Sequence, residues 1–506
     1  VAALGLLNGF ACGGSSGSSG SGGAAGGNTG GGGDGTGGAG GSAGTGSGGA
    51  AGTGGSGGTG GSAGIGDTVS CAGQASGTWI SMSKTNAPQP AQGAALFWTG
   101  TELYASYIFG SGMVHAALYT PCADTWRASP SAPTPRPSFA VPVVSAHELL
   151  FFGPELSPPV LVAFDYSQNQ QANLSVTGAI ASTFPTVVTT GSKLIEWGGG
   201  IQRNPNGASS GFDGTQAGAV YDSARDTWSP MTTAGAPSAR VAPGVWTGSS
   251  FAVWGGHSAD SYMKDPYIYD CAQYPDGAGC AEYGDGALYD PARDAWTPIS
   301  ATGAPPPRFN HVLAWTGDRL LVWGGSKKGT MTNTMNDDLD EVPFLDGGLY
   351  DPAAKTWTPV AASPATVSTV GYQVFWTGDR LAVGQNYFAT GWLYDPHRDS
   401  WSALAPPDGL VGCSTPLAQA GALIAFCAVG SPASSVVMLL LPGETAWRVY
   451  LMPSGIANNP SVLWTGKHLF LWGGVFPAPP PPTCPPGIGC DGPAPTYSNA
   501  GFMLAP

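Results

Sequence analysis

The sequence predicts an all-β fold in which one four-stranded unit is repeated eight times, the last unit being completed by a strand from the N-terminal side. Three observations predict it. With 81 Gly and 45 Pro among 506 residues, backbone breakers are too frequent for an ordinary helical protein. The tripeptide Trp-Thr-Gly recurs at Trp98, Trp246, Trp315, Trp376 and Trp464, and short apolar runs ending in Trp and a Gly pair stand at Trp197, Trp254, Trp323 and Trp472. A Tyr followed seven residues later by Trp appears at Tyr221, Tyr289, Tyr350 and Tyr394, with degenerate copies at Tyr119 to Trp126 and Leu440 to Trp447. Such self-similarity is the mark of a repeat architecture.

The chain divides into three parts. Residues 1–12 open with an apolar run, Val1 to Ala11, that ends in a small residue before Cys12. It resembles a bacterial lipoprotein signal, which implies export, cleavage and a lipid on Cys12, placing the protein at the outer membrane or cell surface, with periplasmic or secreted forms as alternatives. Residues 13–66 contain 30 glycines, no aromatic residue and a single charge, Asp34. That composition cannot bury a core; it makes a flexible spacer with a reach of about 40 Å by random-coil scaling. Residues 67–506 carry all 17 Trp and all 17 Tyr and form the folded domain.

Setting Cys12 aside, eight cysteines remain, and an even number in an exported domain points to disulfides. Cys271 with Cys280 and Cys484 with Cys490 each close a short Gly/Pro-rich loop, Cys413 and Cys427 fall on neighbouring strands of one hairpin, and Cys71 and Cys122 are left as a pair. With 32 acidic against 18 basic residues the net charge is −14, which disfavours nucleic acid and leaves a lipid anchor as the route to a membrane. After the first dozen positions no run of 18 apolar residues occurs.

Each unit reads as an apolar strand ending at the Thr-Gly turn, a second running into Gly-Gly, a third carrying Tyr-Asp and a fourth built on the last Trp. Turns at Gly100, Ala146, Gly191, Gly248, Gly317, Gly378, Gly421 and Gly466 count eight units, with seven as the alternative because the copies at Ala146 and Gly421 are degenerate. The eighth unit stops after its third strand, Gly501 to Leu504, while Gly77-Thr78-Trp79-Ile80 precedes the first unit as an orphan fourth strand. Pairing the two closes the array and removes an exposed edge. Asp222, Asp290, Asp351 and Asp395 are turn residues.

The glycine pair after an apolar strand, the downstream Tyr and the Trp at fixed offset, as in Val322-Trp323-Gly324-Gly325, Tyr350 and Trp357, resemble the kelch repeats of β-propellers. The resemblance covers Gly77 to Leu504 and implies a single propeller of four-stranded blades. Members of that superfamily include protein-binding modules, carbohydrate-linked proteins and radical-copper oxidases similar to galactose oxidase, so the fold alone names no function.

In a propeller the connections between second and third strands share one face with those leading to the next blade. Insertions stand there in unit 3 (Gly198 to Ala217), unit 4 (Gly255 to Gly286), unit 5 (Gly324 to Gly347) and unit 8 (Gly473 to Ala500). Units 3 to 5 are neighbours. Their loops carry Tyr262, Tyr267 and Tyr269 among several acids, a rim suited to a protein, a glycan or Ca²⁺, with Asp337, Asp338, Asp340 and Glu341 as the calcium candidates. Arg136, Arg240 and Arg308 occupy equivalent places before the first strands of units 2, 4 and 5, where they would ring the channel mouth for an anionic ligand or bond a neighbouring blade. Of the six His, His257 and His311 form the near pair. The expected function is that of a monomeric binding module for a protein or glycan, without catalysis or an obligatory cofactor. The alternative is a carbohydrate-active enzyme, a sugar epimerase or mutarotase or, less well supported, a copper oxidase, with its site at the channel mouth near Arg240, Arg308, His257 and His311.

Overall fold

The structure, a computed structural model, describes residues 67–71, 75–89, 94–109, 113–129, 139–145, 148–154, 158–202, 212–258, 281–328, 341–366, 372–385, 388, 390–404, 409–411, 413–414, 416–429, 434–476 and 496–506. Among the described residues every strand pair is antiparallel, and eight sheets form the blades of a propeller, seven of four strands and blade 7 of five, where Leu410–Val411 also pairs with the second strand. Blade 3 shows the pattern: Thr186–Thr189, Lys193–Trp197, Gly218–Asp222 and Thr227–Pro230, in sheet order from first to fourth strand. First strands touch one another between blades 8 and 1, 2 and 3, 3 and 4, 4 and 5, and 5 and 6, which places them around the axis. The eight-unit count is the correct one. Blade 2 (Phe139–Ser145 through Gln170–Asn173) and blade 7 (Leu417–Gln419 through Arg448–Leu451) form complete sheets despite their degenerate motifs.

Blade 8 consists of Ser461–Trp464, Leu469–Trp472 and Gly501–Leu504, and its fourth strand is Trp79–Ser81 from the other end of the domain. Trp79, Ile80 and Ser81 pair with Leu504, Met503 and Phe502. The ring is therefore closed by three residue pairs.

No blade has a core of its own. The buried side chains form eight clusters, and each spans the seam between two consecutive blades; one joins Val188, Ile195 and Trp197 of blade 3 to Phe251, Val253 and Trp296 of blade 4. Alternating side chains on each strand point to opposite sheet faces, so each blade feeds two seams. That alternation explains why the second strands of blades 4, 5 and 8, Phe251–Trp254, Leu320–Trp323 and Leu469–Trp472, are apolar throughout.

The Tyr-to-Trp spacing has a specific cause. Tyr221, Tyr289, Tyr394 and Tyr119 stand opposite Trp228, Trp296, Trp401 and Trp126 in the ladder, with ring centroids 5.1 to 5.2 Å apart. Between them lies an Asp in the left-handed region, with φ of 50° at Asp124, 51° at Asp226 and 47° at Asp294 and Asp399. Its carboxylate accepts the Tyr hydroxyl at 2.7 to 2.9 Å. The same oxygen accepts a backbone N–H from the chain leaving the preceding blade, and that residue's carbonyl accepts the Trp indole N–H. Thr232, for example, donates to Asp294 and accepts from Trp296, both at 2.8 Å. Ser83, Ser175 and Ala361 are gripped in the same manner by blades 1, 3 and 6.

Blade 5 departs from this arrangement. Lys355 takes the Asp position at φ 57°, and Ser300 keeps the indole bond from Trp357, 2.7 Å, without the carboxylate. Asp222, Asp290, Asp351 and Asp395 cap their turns by accepting backbone N–H groups two residues on, at 2.8 to 3.1 Å.

Two disulfides lie among the described residues, Cys71–Cys122 and Cys413–Cys427. Cys413 is not on a strand of the hairpin as expected; it lies between Leu410–Val411 and Leu417–Gln419. Between those two strands the Ser414 N–H donates to the Phe426 carbonyl at 2.7 Å. Cys12, Cys271, Cys280, Cys484 and Cys490 lie outside the described residues.

Replacing Lys355 with Asp should complete the blade 5 clamp and raise stability by about 1 kcal/mol, since Asp also tolerates positive φ better than Lys. Asp294→Ala should cost about 1.5–3 kcal/mol, the range for a hydrogen bond to a charged acceptor. Chemical denaturation of both variants checks this; a destabilised Lys355→Asp chain would refute it.

Candidate functional site

The antiparallel order puts the second-to-third connections at one end of every blade and the first-to-second and third-to-fourth turns at the other. Insertions occur in the four blades that carry Gly-Gly, and the glycines show why. Gly256 and Gly325 have φ of 95° and 79°, and a Cβ there would sit 2.3 Å from the Val241 carbonyl and 2.4 Å from that of Phe309. The chain turns hard against the residues preceding the first strand and then pairs with them, as His257 does with Val241 and Ser326 with Phe309. Each insertion thus leaves the blade as a short ribbon: Gly200–Gln202 with Phe212–Gly214, Ser326–Lys328 with Glu341–Pro343, Val475–Phe476 with Thr496–Tyr497, and the single bridge His257 to Glu282 in blade 4.

Arg240 and Arg308 are at the base of these ribbons, and neither faces a ligand. Both are 0% exposed. Arg240 donates to the Gly255 carbonyl at 3.3 Å, to both Asp285 carboxylate oxygens at 2.8 and 3.2 Å, and to Ser238. Arg308 donates to the Gly324 carbonyl at 3.0 Å, to the Asp346 carbonyl at 3.1 Å and to its carboxylate at 2.8 Å. Tyr283 covers the first guanidinium at 3.7 Å and Phe344 the second at 4.1 Å. The expectation that these arginines ring the channel mouth for an anion is corrected by this geometry: their donors are spent on the third-strand approach of their own blade. Arg136 lies outside the described residues.

These bonds join end to end. Gly199 N–H of blade 3 donates to the Arg240 carbonyl, and Gly256 N–H of blade 4 donates to the Arg308 carbonyl, each at 2.9 Å. Arg308 N–H reaches back to the Tyr283 carbonyl at 3.1 Å. Tyr372, at the head of the first strand of blade 6, donates its hydroxyl toward the Phe344 carbonyl at 2.6 Å and that of Gly325 at 3.0 Å. A continuous relay of hydrogen bonds therefore underlies the insertions of blades 3, 4 and 5 and ends on blade 6. Above it the Asp285 and Asp346 carboxylates remain 57% and 62% exposed, and Ile201 and Val342 project from the ribbons of blades 3 and 5.

His257 and His311 are packing residues. His257 is 6% exposed, with Nδ1 2.8 Å from the Ser258 carbonyl and its ring edge-on to Phe309. His311 is 1% exposed and lies edge-on to Trp254; burial, helped by the Arg308 charge, pushes it down to about 3, so it is neutral at physiological pH. A pair of imidazoles open to a substrate is thus not what the fold builds from them. Tyr262, Tyr267, Tyr269, Asp337, Asp338 and Asp340 lie outside the described residues, as does the side chain of Glu341.

Sequence reasoning missed the partners of the arginines. The signal was an aromatic-x-Asp-Gly run before the third strand, Tyr283 to Gly286 and Phe344 to Gly347, present in the two blades that also carry the Arg. It also missed Glu196 in the second strand of blade 3, one residue before Trp197, where blades 4, 5 and 8 have Val253, Val322 and Leu471. Glu196 is fully buried and its Oε1 accepts the Ile180 N–H at 2.6 Å, while Oε2 has no protein partner. Burial pushes its carboxyl up to about 8 despite that N–H.

Comparison with known proteins agrees with this architecture. Residues 184–419 match the family model described as the KLHDC2/KLHL20/DRC7 Kelch-repeats domain. An alignment 125 positions long, covering 22% of the chain, is 30% identical to Kelch-like protein terF of Aspergillus terreus, and it spans only 25% of that relative's length. Kelch propellers are typically protein-interaction modules.

Because the folded Glu196 carboxyl titrates above its unfolded value, its contribution to stability is fully present below about pH 4.5 and is lost as pH rises toward about 8. Urea midpoints should fall across that window in the native chain, and Glu196→Gln should flatten the fall by up to about 1.4 kcal/mol per pH unit. An identical pH slope in both proteins would remove Glu196 as its source.

Proposed function

We propose that this kelch-repeat β-propeller protein is a binding module that recognises a protein or glycan partner through the insertion face of blades 3, 4 and 5, without catalysing a reaction. The observation that carries the reading is the relay from Gly199 through Arg240 and Arg308 to Tyr372. It commits two buried arginines and their aromatic covers to holding three neighbouring loop bases in fixed relation, and a preorganised base lowers the ordering cost of binding. Ile201 and Val342 beside the exposed Asp285 and Asp346 carboxylates give that face the mixture of apolar and polar groups that recognition surfaces use. A protein partner has the stronger support, because the kelch repeats matched here generally serve protein interaction.

The test is a peptide and glycan array probed with the chain from residue 67 onward. Replacing residues 258–282 with a short Gly-Ser turn should abolish the hit and leave thermal unfolding within a few degrees of the parent. A hit that survives the replacement would place recognition elsewhere.

We further propose that the chain is exported and held at a membrane surface by a lipid on Cys12, with residues 13–66 as the spacer. The apolar run before Cys12, the glycine-rich composition and the disulfides within the ring support this. Intact-mass analysis of the mature N-terminus should find a diacylglyceryl-modified cysteine; an unmodified Cys12 would overturn the anchor.

A further inference from the structure

The ring is closed by a strand of three residues, Trp79–Ser81, and that strand lies downstream of the long N-terminal stretch. Without an attachment upstream of it, a pull on that stretch would load Trp79 first and peel the pairs with Leu504, Met503 and Phe502 one at a time. The segment between the two is fastened unusually well. The Asp67 carboxylate is 1% exposed and accepts from His468 Nδ1–H at 2.7 Å, from the Thr465 hydroxyl and from the Val69 N–H at 2.9 Å. Lys467 Nζ donates to the Val69 carbonyl, Thr68 donates through N–H and hydroxyl to the Gly100 carbonyl at 3.3 Å, and Cys71 is bonded to Cys122.

These partners belong to two blades. Thr465, Lys467 and His468 form the first-to-second turn of blade 8; Gly100 is in the equivalent turn of blade 1 (Ala95–Trp98, Leu103–Phe109), and Cys122 lies between its third and fourth strands, Met113–Thr120 and Thr125–Ala128. We propose that residues 67–71 are a strap across the seam between blades 8 and 1, which takes up tension from the N-terminal chain before it reaches the ring-closing strand. The strap crosses the same seam that the closing strand secures, and it does so by a covalent bond on one side and a buried carboxylate–imidazole pair on the other.

The strap also fixes where the chain enters the ring. All its partners are on first-to-second or third-to-fourth turns, the end of the blades opposite the insertions. The chain therefore enters the ring at the turn end, opposite the insertion face. This geometry stands whether or not that face is where a partner binds.

Hydrogen exchange read by mass spectrometry on the full chain tests the strap. In Cys71→Ser/Cys122→Ser, amides of residues 79–81 and 501–504 should exchange at least 10-fold faster than in the parent, faster again with Asp67→Asn added, while blades 3 to 5 keep parental rates. Parental protection at the closing strand in the triple variant would overturn the proposal, and so would a uniform rise through all blades. Should the variants not fold, the parent chain reduced after folding gives the same reading on the same peptides, and unchanged protection there overturns it.

Discussion

The structure depends on the grip by which each blade holds the chain leaving the blade before it. A blade of four short strands with both faces apolar cannot persist in water, and here every buried cluster is shared between two blades. Hydrophobic burial brings the faces together but is non-directional. Direction comes, at the seams before blades 1, 3, 4 and 6, from one residue whose N–H meets an Asp carboxylate and whose carbonyl meets a Trp indole of the next blade, as Thr232 meets Asp294 and Trp296. Two hydrogen bonds on one residue fix both its position and the orientation of its peptide groups. The Tyr hydroxyl holds the carboxylate in place, which is why Tyr, Asp and Trp occur as a set.

The same logic explains what the sequence made legible. The recurring motifs stood out, the Trp at fixed offset and the Gly pairs that turn against a carbonyl, as did the orphan strand at Trp79. The Asp of the clamp was hidden because it lies in a turn already rich in Asp, four residues after Asp222 or Asp290, and reads there as turn chemistry. The arginines were located with two possible roles, and it is the structural one that Arg240 and Arg308 play, through Asp285 and Asp346, which are 45 and 38 residues away in the chain. Glu196 left no periodic signal at all. It departs from the repeat, and a departure acquires meaning only when its surroundings, the Ile180 N–H and an apolar seam, are known.

The seams are not equal, and their differences are compensated locally. Between blades 1 and 2 the clamp Asp is replaced by Asn169, whose side-chain amide grips the Ala128 carbonyl, while Arg127 reaches the Tyr166 carbonyl. Between blades 6 and 7 Arg380 donates to the Glu444 carbonyl, and the Asp379 carboxylate accepts the Gly443 N–H. Each substitute keeps the principle that a side chain of one blade satisfies backbone groups of the other.

The seam between blades 4 and 5 shows how this economy bears on the insertion face. Lys355 removes the carboxylate there, yet the same two blades are joined at the base of their loops by Gly256 N–H to the Arg308 carbonyl and Arg308 N–H to the Tyr283 carbonyl. The same kind of bond, Gly199 N–H to the Arg240 carbonyl, joins blades 3 and 4, where the clamp is complete, so the loop bases fasten these seams in addition to it. Among the described residues this relay lies under the insertions of blades 3, 4 and 5. Its placement ties the stability of that seam to the geometry of the face above it, so that the loop bases stay in register for as long as the ring is closed.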